Sequence, residues 1–352
     1  MKYTFRFFLL LVVITLLIGS VIIVGCTTTN QTANPKQAGI TPGVTEKPVT
    51  AEKSKLLLAT TTSLYDTGLL NYLEPKFEAK HNVDLLITSQ GTGKAIELAK
   101  KGDADVLLVH SPTQELAFMK DGYGLNRRSF ASNYFEIVGP AADPAGIKTM
   151  TPEHAFTTLR LKGTNNTAGI AFVSRGDGSG THSAEQNIWK GAGYNYSVNV
   201  QKSGKWYVEA GKGMGETLQM ASEKGAYTLT DEGTYLAYKG NLTVVPIVTK
   251  GKSLLNIYSV MTVYNDKQPQ EKVQMANNFI NFLLSPETQT DIANYGVDKY
   301  GKSLFTPMSV SVPDATAGWV GDHTTPATAI KPAPAAAATT AAVAASATIA
   351  KP

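Results

Sequence analysis

The residues with the clearest chemistry sit in short turns rich in glycine, serine and threonine. Three of these turns are Thr60-Thr61-Thr62-Ser63, Ser89-Gln90-Gly91-Thr92-Gly93 and Ser174-Arg175-Gly176-Asp177-Gly178-Ser179-Gly180-Thr181. Gly211-Lys212-Gly213-Met214-Gly215 and Thr228-Leu229-Thr230-Asp231 are weaker versions. Each reads as a strand–turn–helix junction. A helix start presents backbone N–H groups without intrahelical partners and about half a positive charge, so it attracts anions. Hydroxyls add donors, and glycine lets a ligand approach the backbone closely. One such junction is ordinary capping by Ser or Thr. Several aimed at one cleft, one of them carrying an arginine, make an anion site. Arg175 offers planar, bidentate donation to an oxyanion, with a salt bridge to Asp177 as its structural alternative. Asp177 would repel an anion it faced, so it is expected to accept backbone N–H bonds or to pair with Arg175.

Positioning these turns requires regular elements on either side. Strands at 55–60, 83–89 and 105–110 alternate with helices at 68–81 and 92–101, which predicts an α/β lobe with mainly parallel strands. A strand at 134–138 ends at Gly139-Pro140. A second lobe follows, with strands at 170–174 and 226–229 and helices at 181–192, 215–224 and 231–238. A strand at 257–263 and an amphipathic helix at 271–284 complete the body. Strand-like connections near 133–139 and 256–263 place a cleft between two lobes, where small ligands bind.

The 352 residues exceed one ordinary core, and the 43% hydrophobic share suits a soluble body with a sizeable interior. The expected organisation is a signal peptide at 1–25, a flexible tether at 26–54, lobe 1 at 55–137 and lobe 2 at 138–256. A return to lobe 1 at 257–312 and a low-complexity Ala/Thr/Pro tail at 313–352 follow. Lys2 and Arg6 precede a long apolar run that ends at Gly25-Cys26, the pattern of an export signal. Cys26, the single cysteine, cannot form an internal disulfide. A small residue directly before it resembles a lipoprotein cleavage and acylation site; an uncleaved transmembrane anchor is the alternative. Either arrangement holds the body outside the cytoplasm, on the outer face of the cytoplasmic membrane.

The threonine turn and the arginine-bearing turn, which continues into His182, resemble the signature motifs of the tungstate-binding lipoproteins of ABC importers. Supporting stretches include Gly91-Thr92-Gly93-Lys94, Gly102-Asp103-Ala104-Asp105-Val106 with His110, and Trp206-Tyr207. The resemblance implies a two-lobed type II periplasmic-binding-protein fold of the α/β class, with the first lobe completed by the C-terminal segment. It also implies capture of tungstate for a membrane permease, with molybdate, sulfate or another tetrahedral oxyanion as the alternative. The expected oxyanion ligands are Thr61, Thr62, Ser63, Gly91, Thr92, Ser174, Arg175, Ser179, Gly180 and Thr181, with Cys26 as lipid anchor.

Other classes fit less well. Asp177, Ser179 and His182 crowd one turn, whereas a catalytic triad is assembled from distant segments, and no Gly-x-Ser-x-Gly elbow or complete P-loop occurs. No enzyme activity, cofactor or metal cation site is expected, since the five histidines lack ligand spacing. The net charge of +4 comes from scattered lysines, which argues against nucleic acid. A monomer is expected.

Overall fold

The computed structural model describes residues 53–308 and 321–328. The chain divides at Ala51, and everything below belongs to the second unit, Glu52–Pro352. The export signal and Cys26 lie outside the described residues.

Lobe 1 opens with β1 (Ser54–Thr61), the short α1 (Thr62–Asp66), α2 (Leu69–His81), β2 (Val83–Gln90), α3 (Thr92–Lys101), β3 (Val106–Val109) and α4 (Pro112–Lys120). β1 lies between β2 and β3 and runs parallel to both. The 17-residue β4 (Gly124–Pro140) then leaves lobe 1. Lobe 2 contains α5 (Pro152–Thr164), β5 (Phe172–Ser174), α6 (Gly180–Gly191), β6 (Tyr207–Glu209), α7 (Met214–Lys224), β7 (Thr228–Asp231), α8 (Glu232–Tyr238) and β8 (Val244–Val248). β9 (Leu255–Val263) returns the chain to lobe 1, which α9 (Gln270–Leu284), α10 (Pro286–Asn294), α11 (Val297–Tyr300) and β10 (Thr306–Pro307) complete.

Local chemistry accounts for these boundaries. In α9, Val273, Ala276, Ile280 and Leu283 recur at helical spacing and are buried together with Phe279, whose ring meets Phe77 edge-on at 4.9 Å. Ser285 stops that helix and caps the next, its hydroxyl accepting from Thr288 N at 3.3 Å, with Pro286 at the first helical position. In lobe 2, Phe156 and Trp189 pack at 4.4 Å, and Gly163 lies flat beneath Trp206, where a Cβ would sit 2.3 Å from the indole.

Two antiparallel strands connect the lobes. β4 pairs with β9 from Gly124 to Tyr134, then with β7 and β8 from Phe135 to Pro140. The sequence predicts only 134–138 as strand here, because Arg127, Arg128, Ser129, Ser132 and Asn133 interrupt the apolar pattern. The fold gives these polar groups partners: Arg127 meets Glu115 at 2.8 Å, and Asn133 Oδ1 accepts from Asn256 Nδ2 at 2.9 Å. Buried polar groups need such partners.

The tail expected from residue 313 requires a correction at 321–328. Composition marks this piece as low complexity, yet it docks on lobe 1. Arg128 Nε donates to Thr325 O at 2.7 Å, Ser129 N donates to Asp322 O at 3.2 Å, and Asn281 exchanges two hydrogen bonds with Ala327. Ala327 is 2% exposed within the lobe 1 core. Four bonds at about 1 kcal/mol each, less the entropy of ordering the segment, leave a net gain of about 2 kcal/mol. Truncation after Met308 should therefore lower the ligand-free melting temperature by about 4–8 °C, whereas truncation after Thr328 should leave it unchanged. Scanning calorimetry of the two truncations checks this.

Candidate functional site

Three helix starts and one arginine meet in the cleft between the lobes. β1 ends at Thr60 and Thr61, and Thr61 caps α1, its hydroxyl accepting from Leu64 N at 3.3 Å. Gly91 caps α3, and Thr92 is the first residue of that helix. Ser179 caps α6 by accepting from His182 N at 3.2 Å, with Gly180 and Thr181 in the first turn. Arg175 follows β5, and its Nη2 reaches across the cleft to Thr62 Oγ1 at 3.3 Å. Further bonds join the lobes at the same place. Gly93 N donates to Gly178 O at 3.3 Å, Gln114 Nε2 donates to Ser183 Oγ at 2.7 Å, and Thr234 Oγ1 donates to Ser63 O at 3.3 Å.

The donor inventory is unusual for so dry a place. Arg175 is 2% exposed, yet its Nε and Nη1 have no hydrogen-bond partner among the described residues. Thr60 Oγ1, Thr92 Oγ1 and Thr181 Oγ1 are equally buried and unpartnered. Buried polar atoms are ordinarily satisfied, and each exception costs about 1–3 kcal/mol. Thr60, Thr92, Arg175 and Thr181 all sit at or beside the strand ends and helix starts described above. Two carboxylates line the cavity, and both have partners: Glu216 accepts from Gly213 N at 3.4 Å and lies 3.9 Å from Lys212. Asp177 is engaged by Arg175 Nη2 at 2.5 Å and by Ser179 N at 3.1 Å. The Asp177 pairing read from the sequence is present on one nitrogen of Arg175, and Nε and Nη1 have no hydrogen-bond partner among the described residues.

Not every expected ligand keeps its hydroxyl for the cleft. Ser174 donates instead to the buried Glu185 at 2.6 Å and accepts from Gly176 N at 3.2 Å. Burial pushes the Glu185 carboxyl up to about 7, opposed by donation from Ser174, Tyr207 and Trp189. Ser63 contacts His110 Nε2 at 3.0 Å, while His110 Nδ1 meets Asn256 Oδ1 at 2.9 Å. Burial depresses the His110 pKa to about 4, so the ring is neutral and carries one proton. That proton belongs on Nδ1, facing the Asn256 oxygen, which makes Nε2 the acceptor of the Ser63 hydroxyl. Ser63 and Ser174 therefore shape the site rather than donate these protons to a ligand. Gly180 has a steric role as well: a Cβ there would lie 2.7 Å from the His110 ring.

Thr60, His110 and Gln114 are site residues that the sequence reading leaves out of its ligand set. Thr60 lies inside the threonine turn and was readable from it. His110 entered the sequence reading only through a supporting stretch of the family resemblance, and Gln114 carries no local signal that ties it to the cleft. The cavity itself is about 250 Å³, lined by Thr62, Gly91, Lys94, Arg175, Asp177 and Lys212 among others. A larger groove of about 670 Å³ lies elsewhere, but Asp66, Asp291 and Asp298 line it and would repel an anion. Among the described residues no group of three or more His, Cys, Asp or Glu side chains could hold a metal ion.

The chain is similar to known proteins. Residues 31–287 match the family model of the PBP superfamily domain. The tungstate-binding protein TupA of Peptoclostridium acidaminophilum is 41% identical over 258 residues, covering 73% of this chain and 87% of that protein. The structure of the tungstate ABC transporter from Geobacter sulfurreducens aligns at 44% identity with a TM-score of 0.60, covering 68% of this chain and 98% of that one. The tungstate-binding protein TupA from Desulfovibrio alaskensis aligns at 41% identity with a TM-score of 0.59, covering 72% of this chain and 98% of that one. A family model spanning most of the chain, joined to relatives above 40% identity over nearly their whole length, makes the assignment direct: the chain belongs to the PBP superfamily and, within it, to the TupA family.

Proposed function

We propose that the protein captures tungstate outside the cytoplasm and delivers it to the membrane permease of an ABC importer. The observation that carries this reading is the set of buried, unpartnered donors on Arg175, Thr60, Thr92 and Thr181. A tetrahedral dianion placed among them accepts from both lobes at once, and the helix starts of α1, α3 and α6 add backbone N–H groups. Closure of the lobes removes water and strengthens each charge-assisted bond. About six such bonds at roughly 1.5–3 kcal/mol reach the ~12 kcal/mol that nanomolar affinity requires. Lys94 and Lys212 at the rim favour the approach of an anion.

Tungstate is the preferred ligand because relatives at 34–44% identity are named for it. Titration calorimetry with tungstate, molybdate, sulfate and phosphate tests the reading. Absence of binding to all four would overturn it, and recovery of the titrant chemically unchanged separates a binder from an enzyme.

Arg175→Ala removes a charged donor from a desolvated site, a loss of about 2–5 kcal/mol. Tungstate affinity should fall by more than about tenfold, and Arg175→Lys should restore only part of it, since an ammonium lacks the planar fork. Thr181→Val should cost less, as a single neutral donor. Ser174→Ala should behave differently: it strips a donor from Glu185, so it should lower the ligand-free melting temperature more than it lowers affinity. Calorimetric titration and thermal melting of the four variants together decide these roles.

We further propose that Cys26 is the lipid anchor of the mature protein and that the body acts as a monomer. No helix among the described residues is long and apolar enough to cross a membrane. Cys26→Ser should release the protein from the membrane fraction or block its lipid modification, as read by fractionation and mass spectrometry. A variant that stays membrane-bound and unprocessed like the parent would favour the uncleaved anchor.

A further inference from the structure

A cavity of about 350 Å³ lies apart from the oxyanion cleft, with Glu136 among its lining residues. Glu136 stands on β4 just past the point where that strand passes from β9 to β7, opposite Thr230. It is 6% exposed, and its Oε2 has no hydrogen-bond partner among the described residues. A carboxylate in such a place is costly, and the low-cost solution is to carry a proton.

Both lobes build the surroundings of this group. From lobe 2, α8 contributes Glu232 and Tyr235, Lys239 follows at its C-terminal end, and β8 contributes Val245 and Pro246. From lobe 1 come Tyr300 and Lys302. Their segment is fixed there by the buried Leu304 and Phe305 and by β10, which pairs with β4 at Ser132 and Ala131. Lys302 pairs with Glu232, so an ion pair bridges the lobes beside Glu136. Asp231, buried at the start of α8, adds another carboxyl. The charged and titratable groups around Glu136 are thus Asp231, Glu232, Tyr235, Lys239, Tyr300 and Lys302.

We propose that Glu136 is a proton-binding site coupled to lobe closure, taking up one proton from solvent as the lobes close on the oxyanion and returning it as they open. The proposal rests on the reading that the lobes close around the ligand. Only the O–H bond of the carboxyl forms and breaks. Burial pushes the Glu136 carboxyl up to about 7 in this closed arrangement; Glu232 raises it further, Lys302 opposes, and Asp231 raises it again. Opening draws Tyr300 and Lys302 away from α8 and admits water. Since burial is the largest cause, hydration returns the group toward its ordinary value of 4.5.

The sign follows from which state holds the proton more tightly. Below about 4.5 both states are protonated, and above about 7 both are ionised, so neither range gives a dependence. Between these values only the closed state is protonated. There affinity falls as pH rises, by up to about tenfold per pH unit.

The test is titration of the full chain with sodium tungstate at about pH 6, in MES and in imidazole, whose different ionisation enthalpies reveal proton uptake. The parent should take up close to one proton more than Glu136→Gln, and the difference should vanish at about pH 8.5. Comparing parent and variant at one pH cancels the titration of tungstate itself. Equal uptake with binding intact in both overturns the proposal while leaving the tungstate reading standing. No binding by the parent overturns both. Should Glu136→Gln fail to fold, infrared difference spectra of the parent report the same proton. Tungstate should then bring up a carboxylic-acid C=O band at about pH 6, and its absence overturns the proposal.

Discussion

A guanidinium held almost completely out of water governs the organisation of this protein. Arg175 is 2% exposed, and its one ion pair among the described residues is with Asp177 at 2.5 Å. Removing a charge from water costs several kcal/mol, and one carboxylate on one nitrogen compensates only in part. The remaining nitrogens and the neighbouring threonine hydroxyls can be satisfied together by an acceptor with oxygens pointing in several directions. Asp177 keeps the arginine from standing alone in the absence of ligand and holds it in place through Ser179 N. It also tempers the net positive charge of the site, which suits a protein that must release what it binds.

The two-lobed architecture is what lets such a site be dry and still reachable. Donors come from α1 and α3 on one side and from α6 and Arg175 on the other, so water is excluded only where the lobes meet. β4 and β9 run between the lobes as an antiparallel pair, and their junction is polar rather than oily. Asn133 and Asn256 pair there, and Asn256 also holds Tyr258 OH at 2.9 Å and His110. His110 in turn holds Ser63 at the mouth of α1. A chain of satisfied hydrogen bonds therefore runs from the cleft into the two strands that connect the lobes, which fixes their geometry more tightly than apolar packing would.

Buried carboxyls recur behind this frame, each in a different state. Glu115 is balanced by Arg127 at 2.8 Å. Glu185 has three donors, with Tyr207 OH at 2.5 Å and Trp189 Nε1 at 3.0 Å alongside Ser174. Glu136 has an oxygen with none. The first two are structural, because their partners lie within one lobe. The third sits where lobe 1 and lobe 2 both contribute walls, so its hydration depends on their separation.

The strand–turn–helix junctions were legible in the sequence because they are short-range devices. A Thr, Ser or Gly a few residues ahead of a helical pattern sets the cap and the exposed N–H groups whatever the rest of the chain does. The motif around Arg175 belonged to the same class, and so did the apolar face of α9. Tertiary structure alone decided which hydroxyls were left to donate. Ser63 and Ser174 look equivalent to Thr92 and Thr181 in the sequence, but His110 and Glu185, brought close by folding, claim their protons. It also decided the length of β4, whose polar residues hide its strand character until Glu115, Asn256 and Asp322 supply partners. Residues 321–328 read as tail for the same reason: their value lies in bonds to Arg128, Ser129 and Asn281. Local periodicity reports what a segment can form, whereas hydrogen-bond satisfaction in a dry interior depends on partners far away in the chain.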